Sequence, residues 1–304
     1  MRKATPIFVF LLVASTVSLQ PSRLAAITGG PEGSGPKSPG APQQATLKSV
    51  AATAPDIPFD QSDLQAEQEL LQLANQARAQ TGAQLLKLDS GLSQAARIHA
   101  QAMLEARKLS HQFDGEPTVA ERLGAATTLQ LDQEAENAAF DYDAADGHKH
   151  LMLSPPHRAN LLNPAYNVVG LGVVHSGDRM YIVEDFGHAL PNSSVDEVKD
   201  RVASAVVQMR QEARRPMLER RDLSAADATA CSMAQADKLG TASVQQLAQR
   251  YTVLTFTSLH PEQLPAGAEH AVSSPNLRSY SIGACYGRTD SYPTGVYWVV
   301  LSLD

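Results

Sequence analysis

Two histidines and one carboxylate stand out by their surroundings. They are His111 in Ser110-His111, Glu136 in Glu136-Asn137, and His157 in Ser154-Pro155-Pro156-His157-Arg158-Ala159-Asn160-Leu161-Leu162-Asn163-Pro164. Neutral imidazole nitrogens and a carboxylate suit a borderline divalent ion such as zinc, leaving one position for water. A water on such an ion is acidified toward neutral pH and could attack an ester or amide. Without a metal, His111 or His157 could act as general base, with Glu136 orienting the ring. In a third reading Glu136 only hydrogen-bonds an imidazole and holds a loop to a sheet, with no chemistry. No Ser or Cys stands in a Gly-x-Ser-x-Gly elbow, which weighs against a covalent hydrolase.

The other histidines read differently. His148 and His150 lie two apart, and on a helix their side chains diverge by about 200°. They are expected to face solvent; only an extended segment would let them join His157 at one ion. His99 falls on the apolar face of a helix and reads as a satisfied core residue. Arg158 is expected to pair with a carbonyl or acid and fix the turn, with Leu161 and Leu162 entering the core.

The elements that must position these groups follow from periodicity. Leu64, Leu70, Leu71, Leu73, Ala74 and Ala77 recur at helical spacing, and Gly82 ends the run. A second helix starts with Ser90 as N-cap and runs through Ala95, Ala96, Ile98, Ala100 and Met103. A short helix at 119–123 precedes an extended stretch at 136–140. Residues 144–153 read as a helix that Pro155-Pro156 breaks, with His157 entering another short one. Segments 167–174 and 180–183 form a hairpin around Ser176-Gly177-Asp178. Helices followed by strands imply an α+β layered domain. After residue 194 the order recurs: an amphipathic helix at 198–209, a helix at 223–234 echoing 92–103, and strands at 280–286 and 296–301. This reads as a second, reduced copy lacking the three chemical motifs.

The 304-residue chain has room for two modest domains. Arg2-Lys3 and the apolar run at 7–17 have the layout of a signal peptide, assigned to 1–26. That run is about eleven residues, too short to span a bilayer, so no transmembrane segment is expected. Residues 27–61, rich in Gly, Pro and Ser, read as a disordered tether. The domains then fall at 62–190 and 194–304. A net charge of −7 without a basic stripe excludes a nucleic-acid partner. Cys231 and Cys285, the two cysteines, are expected to form a disulfide in an exported chain.

Residues from about 66 to 188 resemble the superfamily of cysteine-rich secretory proteins, antigen 5 and pathogenesis-related 1 proteins, in its bacterial, disulfide-free branch. The resemblance rests on Asn75-Gln76-Ala77-Arg78, Leu88-Asp89, Ser110-His111, Glu136-Asn137, Ser154 to Pro164, Val169-Gly170-Leu171-Gly172-Val173 and Val183-Glu184-Asp185-Phe186. It implies a three-layer α-β-α sandwich with a cleft holding two histidines and two acids. By motif these are His111, His157 and Glu136; the second acid falls near Ser154 and is absent, while Glu184 could approach from the last strand. The expectation is a secreted protein whose cleft (His111, Glu136, His157, Glu184) binds a divalent metal such as zinc, a lipid, a peptide or a cell-wall fragment. The rivals are a metal-assisted extracellular hydrolase and an adhesion module.

Overall fold

The computed structural model describes residues 62–304 and the backbone of Leu24–Ile27. In chain order the elements are β1 (Leu24–Ile27), α1 (Leu64–Thr81), β2 (Lys87–Leu88), α2 (Ser90–Ala106), α3 (Val119–Ala126), β3 (Gln130–Asp141), α4 (Ala144–Leu153), α5 (Pro155–Leu162), β4 (Val168–Ser176) and β5 (Arg179–Leu190). Then come α6 (Val195–Glu212), β6 (Glu219–Arg220), α7 (Ser224–Ala236), α8 (Ala242–Ala248), β7 (Thr252–Ser258), α9 (Ala268–Val272), β8 (Ser279–Thr289) and β9 (Tyr292–Leu303). Residues 62–119 and 133–188 pack as one unit; 24–27, 120–132 and 189–304 pack as another. The expected leader and tether lie outside the described residues, apart from Leu24–Ile27.

In the first unit the sheet order is β2-β4-β5-β3, with β2 parallel to β4 and β4–β5 a hairpin. Alternation along the strands sends neighbouring residues to opposite faces. Ala135, Ala139, Leu171, Ile182 and Phe186 meet Leu70 and Ala74 of α1, Leu151 of α4 and Leu161 of α5. On the other face Ala138, Val174, Tyr181 and Val183 meet Ala96, Ala100 and Met103 of α2. This is the α-β-α sandwich, and each fully buried Leu or Ile contributes about 1.5–3 kcal/mol. Gly170 and Gly172 explain the spacing of their motif. A Cβ on Gly170 would sit 2.1 Å from the Leu92 backbone, and one on Gly172 2.3 Å from that of Ala96. The α2 helix therefore lies directly on β4.

Local chemistry sets the element ends. Asp89, one residue before the expected cap, caps α2 through a bond from the Leu92 amide at 2.9 Å. Its carboxylate is the stronger acceptor, so Ser90 becomes the first helical residue. Pro155 and Pro156 open α5, where their missing amide hydrogens cost nothing.

The second unit repeats the path with a sheet ordered β1-β7-β9-β8-β6. β6 is parallel to β8, as β2 is to β4, and β8–β9 form the hairpin. A Cβ on Gly283 would lie 2.1 Å from the Ala226 backbone, matching Gly170 against Leu92. The Leu171 amide donates to Ser93 Oγ and the Ala284 amide to Asp227 Oδ1, each at 3.2 Å. The copy is therefore register-true. No helix stands where α4 would between β7 and α9, which is the sense in which it is reduced. Cys231 and Cys285 are disulfide-bonded, joining α7 to β8. Residues 120–132 are held within this unit by Arg288, which donates to the carbonyls of Gly124, Thr127 and Leu129.

Candidate functional site

β3 ends its sheet, and its adjacent residues Glu136 and Asn137 point to opposite faces. Glu136 turns toward α2. Its Oε1 lies 2.8 Å from His111 Nδ1, on the loop after α2, and 3.7 Å from His99 Nε2. Asn137 turns toward α5. Its Nδ2 donates to the His157 carbonyl at 3.1 Å and to Glu184 Oε2 at 3.0 Å, while its Oδ1 accepts from Asn160 Nδ2 at 2.9 Å. One dipeptide on an edge strand thus contacts the His111 ring on one face of the sheet and the His157 backbone on the other. His157 and Asn160 are three apart on α5 and share a face. That spacing is why the motif carries both.

Charge and burial shape the pair. Burial, and then the neighbouring His111, hold the His157 imidazole below its ordinary value. Glu136 is buried at 1% exposure, whereas His111 keeps about a quarter of its side chain exposed at 24%. Glu184 is fully buried, and burial pushes its carboxyl up to about 7 against the hydrogen bond from Asn137. Its Oε1 has no hydrogen-bond partner among the described residues.

Among the described residues no group of three His, Cys, Asp or Glu side chains is arranged to hold a metal ion. Glu136, expected as a ligand, commits Oε1 to the His111 ring and orients it. Glu184 reaches Asn137 rather than an imidazole. What remains is a pair of imidazoles, His111 with Nδ1 engaged and Nε2 free to bind. Ser154 stands between α4 and α5.

His148 and His150 do not face solvent as expected. Both are half-buried, His150 Nδ1 sits 2.5 Å from Asp141 Oδ2, and burial lowers the His148 value. Arg158 is exposed and makes no side-chain hydrogen bond among the described residues. The turn after α5 is fixed instead by Arg78, which is fully buried and donates to the carbonyls of Gln84, Leu161, Asn163 and Tyr166 at 2.7–3.0 Å. Sequence spacing gave no hint that a helix residue so far upstream would reach that turn.

Residues 71–186 match the sequence profile of the cysteine-rich secretory protein family, CAP. That region is a CAP domain. It is 30% identical over 114 residues to the uncharacterized protein YkwD of Bacillus subtilis, covering 36% of this chain and 43% of YkwD. The chain therefore spans less than half the length of that curated relative. Among solved structures, an extracellular SCP-domain protein of Bacillus anthracis is 26% identical, with a TM-score of 0.36, covering 41% of this chain and 40% of that one. An outer surface protein of Borrelia burgdorferi is 18% identical with a TM-score of 0.39, covering 44% of this chain and 97% of its own. The matched span includes His111, Glu136, Asn137, His157 and Glu184, and ends before residues 189–304.

Proposed function

We propose that the CAP domain is an exported binding module whose His111–His157 pair holds a divalent ion such as zinc, or a small polar ligand presented with one. The observation that carries this is the 2.8 Å contact of His111 Nδ1 with Glu136 Oε1. It fixes the tautomer, because a carboxylate accepts only and Nδ1 must donate. Nε2 is then a lone pair in a set direction, and the lowered His157 value favours a second neutral imidazole beside it. A bound ion would supply a Lewis-acid centre. The protein supplies orientation through Glu136 and placement of His157 through Asn137 and Asn160. Export is supported by the leader pattern at 1–26 and by the Cys231–Cys285 disulfide, since such bonds persist in oxidising compartments. No helix among the described residues is long and apolar enough to cross a membrane.

Calorimetric titration of the full chain with zinc chloride tests the reading. One saturable site per chain is expected, lost in His111→Ala and in His157→Ala. Glu136→Gln should weaken binding by about 10–100-fold, the usual effect of losing a carboxylate behind a ligating histidine. Equal zinc uptake by wild type and both alanine variants would contradict it. Turnover of peptide or glycan substrates that His157→Ala removes would replace binding with hydrolysis.

A further inference from the structure

His111 is fixed from two directions. Its ring is held by Glu136. Its backbone is held one residue earlier, where His99 Nε2 meets the Ser110 carbonyl at 2.8 Å. The other nitrogen of His99 lies 2.6 Å from Glu116 Oε1. Glu116 closes the loop on itself: its Oε2 accepts from the Phe113 amide at 2.9 Å, and its carbonyl accepts from Gln112 Nε2 at 2.8 Å. His99 has no exposed side-chain surface, and Glu116 keeps 12%.

We propose that His99 and Glu116 are a positioning pair that sets the 110–116 loop so that His111 meets Glu136. This rests on reading His111 as a ligand-binding residue. The Ser110 carbonyl only accepts, so His99 Nε2 carries hydrogen. Nδ1 then faces the Glu116 carboxylate at 2.6 Å. The ring is thus a two-ended tie between helix α2 and the loop, not an apolar filler. The Glu136 oxygen that orients His111 also lies 3.7 Å from His99 Nε2, so both anchors converge on one point. A loop with an untethered histidine would lose binding free energy to its own ordering, and fixing the loop beforehand removes that cost.

The test uses the full chain, with the His111 tautomer read by side-chain nitrogen NMR beside a zinc chloride titration. Wild type is expected to show His111 in a single form with hydrogen on Nδ1. His99→Phe, which keeps the volume and removes both ties, should mix the tautomers and weaken zinc by about tenfold with an unchanged circular dichroism spectrum. Glu116→Gln keeps an oxygen acceptor and should restore most of the ordering. A folded His99→Phe with an unaltered His111 tautomer would overturn the proposal. If His99→Phe does not fold, Glu116→Ala takes its place: tautomer mixing supports the pair, and an unchanged tautomer overturns it. If wild type takes up no zinc, the binding reading fails, yet the tautomer still decides the positioning.

Discussion

Arg78 and Arg210 occupy the same place in the two units, each on the first long helix of its copy and each almost fully buried. Arg78 donates to four carbonyls; Arg210 donates to those of Pro216, Val272 and Ser274 and leaves Nη2 without a partner among the described residues. The same pattern holds elsewhere. Taking Gly170 with Gly283 and Leu92 with Ala226, His99 corresponds to Met233 and the paired strand residues Glu184 and Asp185 to Val299 and Val300. Gly172 and Arg97 correspond to Cys285 and Cys231, so a covalent link stands where the first unit has a close crossing and an Arg97–Glu67 ion pair. The edge differs too: β3 ends its sheet, whereas β7 is paired with β1. One fold has been kept twice. The first copy keeps buried polar groups at these positions, and the second has apolar side chains and a disulfide there.

Breaking the arginines should produce the largest effect. Arg78→Met strands four carbonyls, and each buried acceptor left without a partner costs about 1–3 kcal/mol. Arg210→Met should cost less, because it frees fewer acceptors. Denaturant unfolding separates them, since Trp298, the single tryptophan, reports on the second unit alone. Next, replacing Cys231 and Cys285 with alanine removes a link across 54 residues and should cost about 2–4 kcal/mol. Only the Trp298 transition should move; a shift of the first unit would show that the copies are not independent in this respect.

The smallest effect depends on pH and separates Glu184 from its apolar counterpart. Its folded value, raised to about 7 from 4.5, means the folded chain keeps a proton that the unfolded chain releases. The folded state binds more protons across that window, so stability is highest below it and falls as pH rises through about 7. Glu184→Gln should flatten this slope, gaining on the order of 2 kcal/mol at pH 8 and little at pH 5. Melting temperatures across that range would check it; identical pH profiles would show that Glu184 is not the group responsible.

Much of this was legible in the residues. The helices over 64–81 and 144–153, the hairpin and the copied order after 194 all follow from periodicity and turn chemistry. The family motifs picked out both histidines and Glu136 before any contact was known. Three things were not legible. Strand β7 has an ordinary run of Thr, Val, Leu and Phe with no turn dipeptide to mark it. The roles of Arg78 and His99 depend on carbonyls from distant or loop segments, and a carbonyl leaves no trace in residue type. The division of labour between Glu136 and Asn137 depends on which strand forms the sheet edge, which pattern alone does not give.

Anomalous scattering from crystals grown with zinc chloride decides whether binding belongs to the imidazoles of the first copy. One peak is expected, bonded to His111 Nε2 and the His157 ring, with Glu136 behind His111 and no peak in the second unit. A peak at His148 and His150, a peak in the second unit alone, or none at the pair would contradict it.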